Sequence, residues 1–367
     1  KHFVDVSSFW HSIVLLCQIT VTFDTLFLLY RKFARFGSPN FKKEKIFGTE
    51  RFHFVWLQFL HSLGIIGSDK NSAVFWQRCR KRNARRHTGK SDNMFGTYLD
   101  RVRSAAPLIH NMTNYVTAND VANLLLACGA SPIMAEDENE AEEVTSICAG
   151  LNLNIGTLSR QKLRAMLLAG KEARRLGHPV LLDPVGVGVS RFRMEAAAQI
   201  VQEIRPDVIR GNGSEIRMLA AAGSAPARGV DADLADAVTE DQLAEAALRV
   251  KQQAEHMGCI LAVTGRVDLI TDGRICYCIS NGRPEMSRIT GTGCQLSGLM
   301  TAFLAANPGQ KLEAAAAAAA VMGLAGEIGW SRMQDGDGNA AYRNRIIDAV
   351  YHMDGKWLDE GEKVAVL

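Results

Sequence analysis

From about Pro107 onward, short apolar runs alternate with longer segments in which apolar residues recur every three or four positions. The runs Ser131–Ala135, Leu151–Gly156, Val180–Gly186, Asp207–Asn212 and Cys259–Gly265 have the length of buried strands, with Gly, Pro or Asn at or near their ends. Between them, Thr117–Cys128, Glu138–Ala149, Ser159–Leu176, Arg191–Ile204 and Asp241–Met257 read as amphipathic helices. Strand and helix in alternation imply parallel strands joined by right-handed crossovers. The expected fold is therefore a three-layer α/β/α sandwich with a mostly parallel central sheet. Asp268–Thr271 and Ile275–Ser280, separated by Asp272-Gly273-Arg274, predict a hairpin. The last third is helical, and its alanine run 314–320 suits close helix packing.

In such a sheet, ligands sit beyond the carboxyl ends of the strands. The chain puts polar residues there: Asn154 and Gly156, Asp183 with Gly186 and Gly188, Arg210 and Asn212, Thr264 and Gly265. Four strand ends dressed in this way favour one extended cleft.

Three segments carry candidate chemistry. Ile289-Thr-Gly-Thr-Gly-Cys294 precedes a helix. Its glycines let successive backbone amides converge, and the helix start adds partial positive charge, so Gly291, Thr292 and Gly293 form a candidate anion cradle. Phosphoryl transfer needs such a cradle, but the segment also reads as a Gly-rich turn at a helix start. No Gly-Lys-Ser/Thr follows, so it is not a Walker A loop. In Arg210-Gly-Asn-Gly-Ser-Glu215, Asn212 and Glu215 share one face of a helix start. They read either as an oxygen pair that holds magnesium through water or as a capping box. Arg210 offers a fixed cation for phosphate oxygens. Asp183, at the end of an apolar strand, needs a partner or a cation to be buried; a magnesium role and a turn role both fit.

Composition divides the chain near residue 90. Residues 1–90 hold 16 Lys/Arg against 5 Asp/Glu, with 12 of the 15 Phe; the remainder holds 26 against 34. All 12 methionines lie at or after Met94. Residues 1–93 are therefore expected to be a basic, aromatic-rich extension, disordered or foreign to the natural protein. A single domain is expected over 94–367. The run Ser8–Tyr30 raises a membrane anchor, but His11, Gln18 and Asp24 interrupt it. The basic run Arg78–Arg86 raises phosphate binding but has the composition of a solvated segment. Neither a membrane nor a nucleic-acid partner is expected. The eight cysteines show no C-x-x-C spacing, which points to a reduced, cytoplasmic protein without structural zinc. Cys276 and Cys278, on the second hairpin strand, are expected on opposite faces.

Taken together, Asn111-Met-Thr-Asn-Tyr-Val116, Thr117-Ala-Asn119, Gly129–Met134, Leu153–Leu158, Leu182–Gly186, Ile209–Asn212, Val263–Gly265 and Thr290–Cys294 resemble the hydroxyethylthiazole kinases, in that family's order and spacing. The resemblance implies a ribokinase-like fold, a homotrimer with sites between subunits, and use of ATP with magnesium. It implies phosphorylation of the hydroxyethyl group of 4-methyl-5-(2-hydroxyethyl)thiazole, a salvage step towards thiamine phosphate. By the same resemblance, Met134 and Gly291 contact the thiazole, and Asn114 helps to bind it. Arg210 and Thr264, with Asn212 beside them, serve ATP, and Asp183 and Glu215 serve magnesium. Cys294 stands where ribokinase-like enzymes generally place an Asp base. A helix start is expected to lower its thiol pKa and suit it to a modest base role. Arg266 and the stretch Gln334–Asn339 depart from the family pattern. Another ribokinase-like kinase, of hydroxymethylpyrimidine type, and a non-catalytic nucleotide-binding protein are the alternatives.

Overall fold

The computed structural model describes residues 95–222 and 240–367. The basic extension predicted over 1–93, with its anchor and nucleic-acid alternatives, lies outside the described residues.

The chain builds one nine-stranded sheet, in the order β2-β1-β3-β4-β5-β6-β7-β8-β9. The parallel part comprises β1 (Leu108–Met112), β2 (Ser131–Ile133), β3 (Gly150–Asn154), β4 (Val180–Asp183), β5 (Val208–Asn212) and β6 (Ile260–Thr264). Then β7 (Asp268–Thr271), β8 (Cys276–Ile279) and β9 (Val364–Val366) add antiparallel strands at one edge. Helices cover both faces. One layer holds α1 (Gly96–Ala105) and α2 (Ala118–Cys128). The other holds α3 (Ala141–Ile147), α4 (Arg160–Leu176), α5 (Arg191–Ile204), α6 (Gly213–Ala222) and α7 (Glu240–Met257). The first layer is completed by α8 (Thr292–Ala306), α9 (Lys311–Ser331), α10 (Asn339–His352) and α11 (Gly355–Gly361). This is the predicted α/β/α sandwich.

Alternation along the strands feeds two separate cores. On β4, Leu181 packs with the α8–α9 layer, while Val180 and Leu182 pack with the α4–α5 layer. Strands buried on both faces read as continuous apolar runs, which is why β4, β5 and β6 stood out in the sequence. Helix α9 is long and apolar enough to span a membrane, but it is buried between α8 and α10, with Ala314–Ala320 fully packed. A helix apolar all round belongs in a core.

The same alternation corrects one expectation. Cys276 and Cys278 both face the α7 layer, and Tyr277 between them faces the other core. Residues two apart on a strand share a face. The six described cysteines are all unpaired.

Topology places the crevice. From β1 the chain crosses to β2 through α2 on one face, then to β3 through α3 on the other. The carboxyl ends of β1 and β3 thus flank a topological switch point, where such sheets bind ligands.

Candidate functional site

The face of β3 that looks toward α8 is polar. Asn152 hydrogen-bonds Asn111 of β1 at 3.2 Å, and Asn154 reaches both Cys294 and Asp183. Opposite them, α8 presents Cys294, Ser297 and Thr301, small side chains spaced three or four apart, so the helix start sits close over the strand ends.

These elements converge on one buried network. The amides of Asn114 and Asn154 both donate to the Cys294 sulfur, at 3.1 and 3.2 Å. Asn114 also donates to Asn154 at 3.1 Å and accepts from the Thr117 hydroxyl at 3.1 Å. The Asp183 carboxylate accepts from Asn154 at 2.8 Å and from Ser297 at 2.7 Å, with an Arg210 nitrogen at 3.5 Å. Arg210 in turn donates to Thr264 at 2.8 Å. Cys294, Asp183, Arg210, Thr264 and Asn114, named separately from the sequence, therefore form a continuous chain of contacts across the ends of β1, β3, β4, β5 and β6.

The glycine turn shapes this centre. Gly291 has φ +83°, and a Cβ there would meet the Thr117 methyl at 2.2 Å. A Cβ on Gly293 would meet the Arg210 guanidinium at 2.5 Å. The backbone of 291–293 is thus pressed between Thr117 and Arg210, and at Gly291, in the left-handed region, only glycine fits without strain. Gly291 gives α8 no side-chain cap, so the first amides of the helix remain open donors for an anion, beside a fixed cation.

The electrostatics differ from expectation at Cys294. Burial, then the nearby Asp183 charge, push the thiol pKa up; the Asn154, Thr117 and Asn114 hydrogen bonds only partly offset this. The helix start does not win because the thiol is buried and shares its pocket with an acid. Burial also raises the Asp183 pKa, with Arg210 and the Ser297 hydrogen bond pulling it back and Glu215 adding to the rise. One oxygen of Asp183, Oδ1, is buried with no protein partner. That orphaned oxygen, beside a second acid, fits a divalent cation that takes only one or two protein carboxylates and fills its shell with water and phosphate. Among the described residues, no cluster of three or more His, Cys, Asp and Glu forms a protein-only metal cage.

Asn212 and Glu215 form the capping box that the sequence left open. The Glu215 amide donates to the Asn212 side chain and the Asn212 amide to Glu215, both at 2.9 Å. The other Glu215 oxygen accepts from the Gly186 amide at 2.9 Å, tying the β5–α6 turn to the turn after β4. Asn212 and Glu215 line an open cleft of about 440 Å³, together with Gly186, Gly188 and Met218. Met134 follows β2, one strand beyond Asn114, and is about a third exposed.

Three residues of the site escaped the sequence reading. Ser297 lies one helical turn after Cys294, and that spacing was its only signal. Asn154 was noticed as a strand end but given no role. Asp268 opens β7 and accepts from the Gly265 amide at 3.0 Å. Burial pushes its pKa up to about 6, partly countered by Arg210.

The Hydroxyethylthiazole kinase family matches residues 99–356 of the chain. The chain belongs to the hydroxyethylthiazole kinase family. A hydroxyethylthiazole kinase of Clostridium acetobutylicum is 50% identical over 265 residues, covering 72% of this chain and 97% of that one. Another, of Ruminiclostridium cellulolyticum, is 44% identical, covering 72% and 95%. The solved structure of the hydroxyethylthiazole kinase protein from Pyrococcus horikoshii OT3 superposes with a TM-score of 0.65 at 33% identity, covering 74% of this chain and 98% of that one. The hydroxyethylthiazole kinase match thus spans the α/β/α sandwich and begins just after the compositional break.

Proposed function

We propose that this protein phosphorylates the hydroxyethyl group of 4-methyl-5-(2-hydroxyethyl)thiazole with ATP, a salvage step towards thiamine phosphate. The observation that carries this reading is the uncapped start of α8, opening beside Arg210, with Ser297 one turn on bonded to Asp183.

Phosphoryl transfer passes through a loose transition state with charge spread over the phosphoryl oxygens, so positioning and electrostatics do most of the work. The amides of Thr292, Gly293 and Cys294 are oriented to receive that charge, and the Arg210 guanidinium, held by Thr264, is fixed beside them. Arg210 and Thr264, with Asn212 nearby, bind ATP in this reading. Asp183 and Glu215 would hold magnesium, which neutralises phosphate charge when bound. Asn114 and Met134 line the acceptor side, with Gly291 between the two substrates. Cys294 lies where the acceptor hydroxyl must lose its proton. With its pKa raised, only its small thiolate fraction could accept that proton, so its help as a base is slight, as a loose transition state permits.

A cytoplasmic homotrimer with sites between subunits completes the reading. The free thiols support a reducing compartment. Tyr115 and Val116, strongly exposed beside Asn114, support an apolar subunit contact at this edge. Cysteine in place of an aspartate at 294 favours the thiazole alcohol over hydroxymethylpyrimidine.

A coupled assay with ATP and magnesium, on the full chain and on residues 94–367, tests the proposal. Both are expected to turn over the thiazole alcohol and to leave hydroxymethylpyrimidine and sugars untouched. ATP binding without phosphorylation of any alcohol would overturn it.

A further inference from the structure

Two buried groups outside the reaction centre converge on one short segment. His110, in the middle of β1, is fully buried and faces away from α8. One ring nitrogen, Nε2, lies 2.9 Å from the Ala135 carbonyl, and Nδ1 lies 2.8 Å from the Thr145 hydroxyl of α3. A carbonyl can only accept, so Nε2 carries the proton and donates to Ala135. Lys162, in the first turn of α4, is only 5% exposed. Its ammonium donates to the Thr113 carbonyl, next to Asn114, and to the carboxylate of Glu136. Residues 134–137 have no regular structure, and the strand before them is three residues long and paired on one side only. Met134, Ala135 and Glu136 are therefore held from outside, by a histidine from β1 and a lysine from α4.

We propose that Lys162 and His110 are positioning residues for the acceptor pocket: together they clamp the Met134–Glu136 segment to the Asn114 turn and so set the width of the slot for the thiazole alcohol. The inference rests on the reading that Met134 and Asn114 face the acceptor. An ammonium is costly to bury, and it is placed where two segments must be held in register. Lys162 spans both walls at once: Thr113 precedes the asparagine that donates to Cys294, and Glu136 follows the methionine by two. A lysine that served stability alone would affect both substrates equally. A clamp confined to the acceptor slot affects the acceptor and spares ATP, whose proposed contacts Arg210 and Thr264 lie on β5 and β6.

The test compares Lys162→Met and Glu136→Gln with the full-length wild type, by steady-state kinetics and by hydrogen–deuterium exchange. KM for the thiazole alcohol is expected to rise about tenfold in Lys162→Met, the scale of a lost charge-assisted hydrogen bond. In Glu136→Gln, whose side chain is half exposed, a rise of about threefold is expected. KM for ATP should stay within about twofold in both, and exchange should quicken over 134–137 but not over the turn at 184–189. If Lys162→Met does not fold, the half-exposed Glu136→Gln carries the test. An unchanged acceptor KM in folded variants, or both KM values rising together, overturns the proposal. If the wild type itself does not phosphorylate the alcohol, the function reading has failed instead. The clamp is then judged by exchange alone, and unchanged exchange over 134–137 overturns it.

Discussion

At the scale of single residues, Cys294 shows what sequence carries and what it does not. The spacing Gly-Thr-Gly-Cys before a helix singled it out, because glycines at a helix start have a local mechanism. Its proton affinity was not legible. The groups that set it come from far along the chain: Asn154 is 140 positions away and Asn114 is 180. Asp183, the acid that raises the thiol pKa after burial itself, sits on a different strand. A thiol raised in this way is protonated at neutral pH and is a poor general base. Cys294→Ser keeps an acceptor for the two asparagine amides, so the pocket should survive. Turnover is expected to fall by about tenfold or less, below the usual range for a full general base. KM for ATP should not change. Steady-state kinetics would check this, and an unchanged kcat would remove the base role altogether.

At the scale of elements, the turn before α8 is the piece on which the site depends. Gly291 occupies the left-handed region at φ +83°, and a side chain there would run into Thr117, whose hydroxyl holds Asn114. Gly291→Ala should therefore cost about 1–3 kcal/mol in strain and displace the Asn114 contact to Cys294. Loss of turnover is expected to exceed the loss of thermal stability, because the displaced contacts are those of the site. Melting and kinetics measured together would check this; a stable, fully active variant would show the turn to be a mere connector. The sequence made this turn visible, along with β4, β5, β6 and the β7–β8 hairpin, since buried strands and Gly turns have local signatures. It did not show β1 or β9. In β1, His110 and Asn111 break an apolar run, and both are buried only because Thr145, Ala135 and Asn152 satisfy them. β9 has three residues and is a strand only because β8 offers an unpaired edge. Likewise, Asn212 and Glu215 matched two chemistries equally well in sequence. The backbone amides of Asn212 and Gly186 hold the Glu215 carboxylate in the capping arrangement.

At the scale of the whole molecule, the start of α1 is held by two acids, Asp359 in α11 and Glu362 just after it. Asp359 accepts from the Gly96 amide at 2.7 Å at the start of α1. The pKa of Glu362 is pushed up to about 7 by burial and then by the Asp359 charge, with the Phe95 amide pulling it back. Its Oε2 is buried with no protein partner. In the unfolded chain this group titrates near 4.5, so between about pH 4.5 and 7 the folded state holds a proton that the unfolded state has released. Stability from Glu362 is thus fully present below pH 4.5 and is lost as pH rises through 7. His110 acts in the opposite sense: burial lowers its pKa, so its contribution falls as pH drops below about 6.5. The two trends overlap in the wild type, and a single melting profile would not separate them. Glu362→Gln separates them, because it removes the first and leaves the second. The variant is expected to melt higher than the wild type at pH 8, with the gap closing by pH 5. A gap that stayed constant across that range would mean that Glu362 is ionised in the folded protein. The Phe95 amide, which favours the charged carboxylate, would then outweigh its burial.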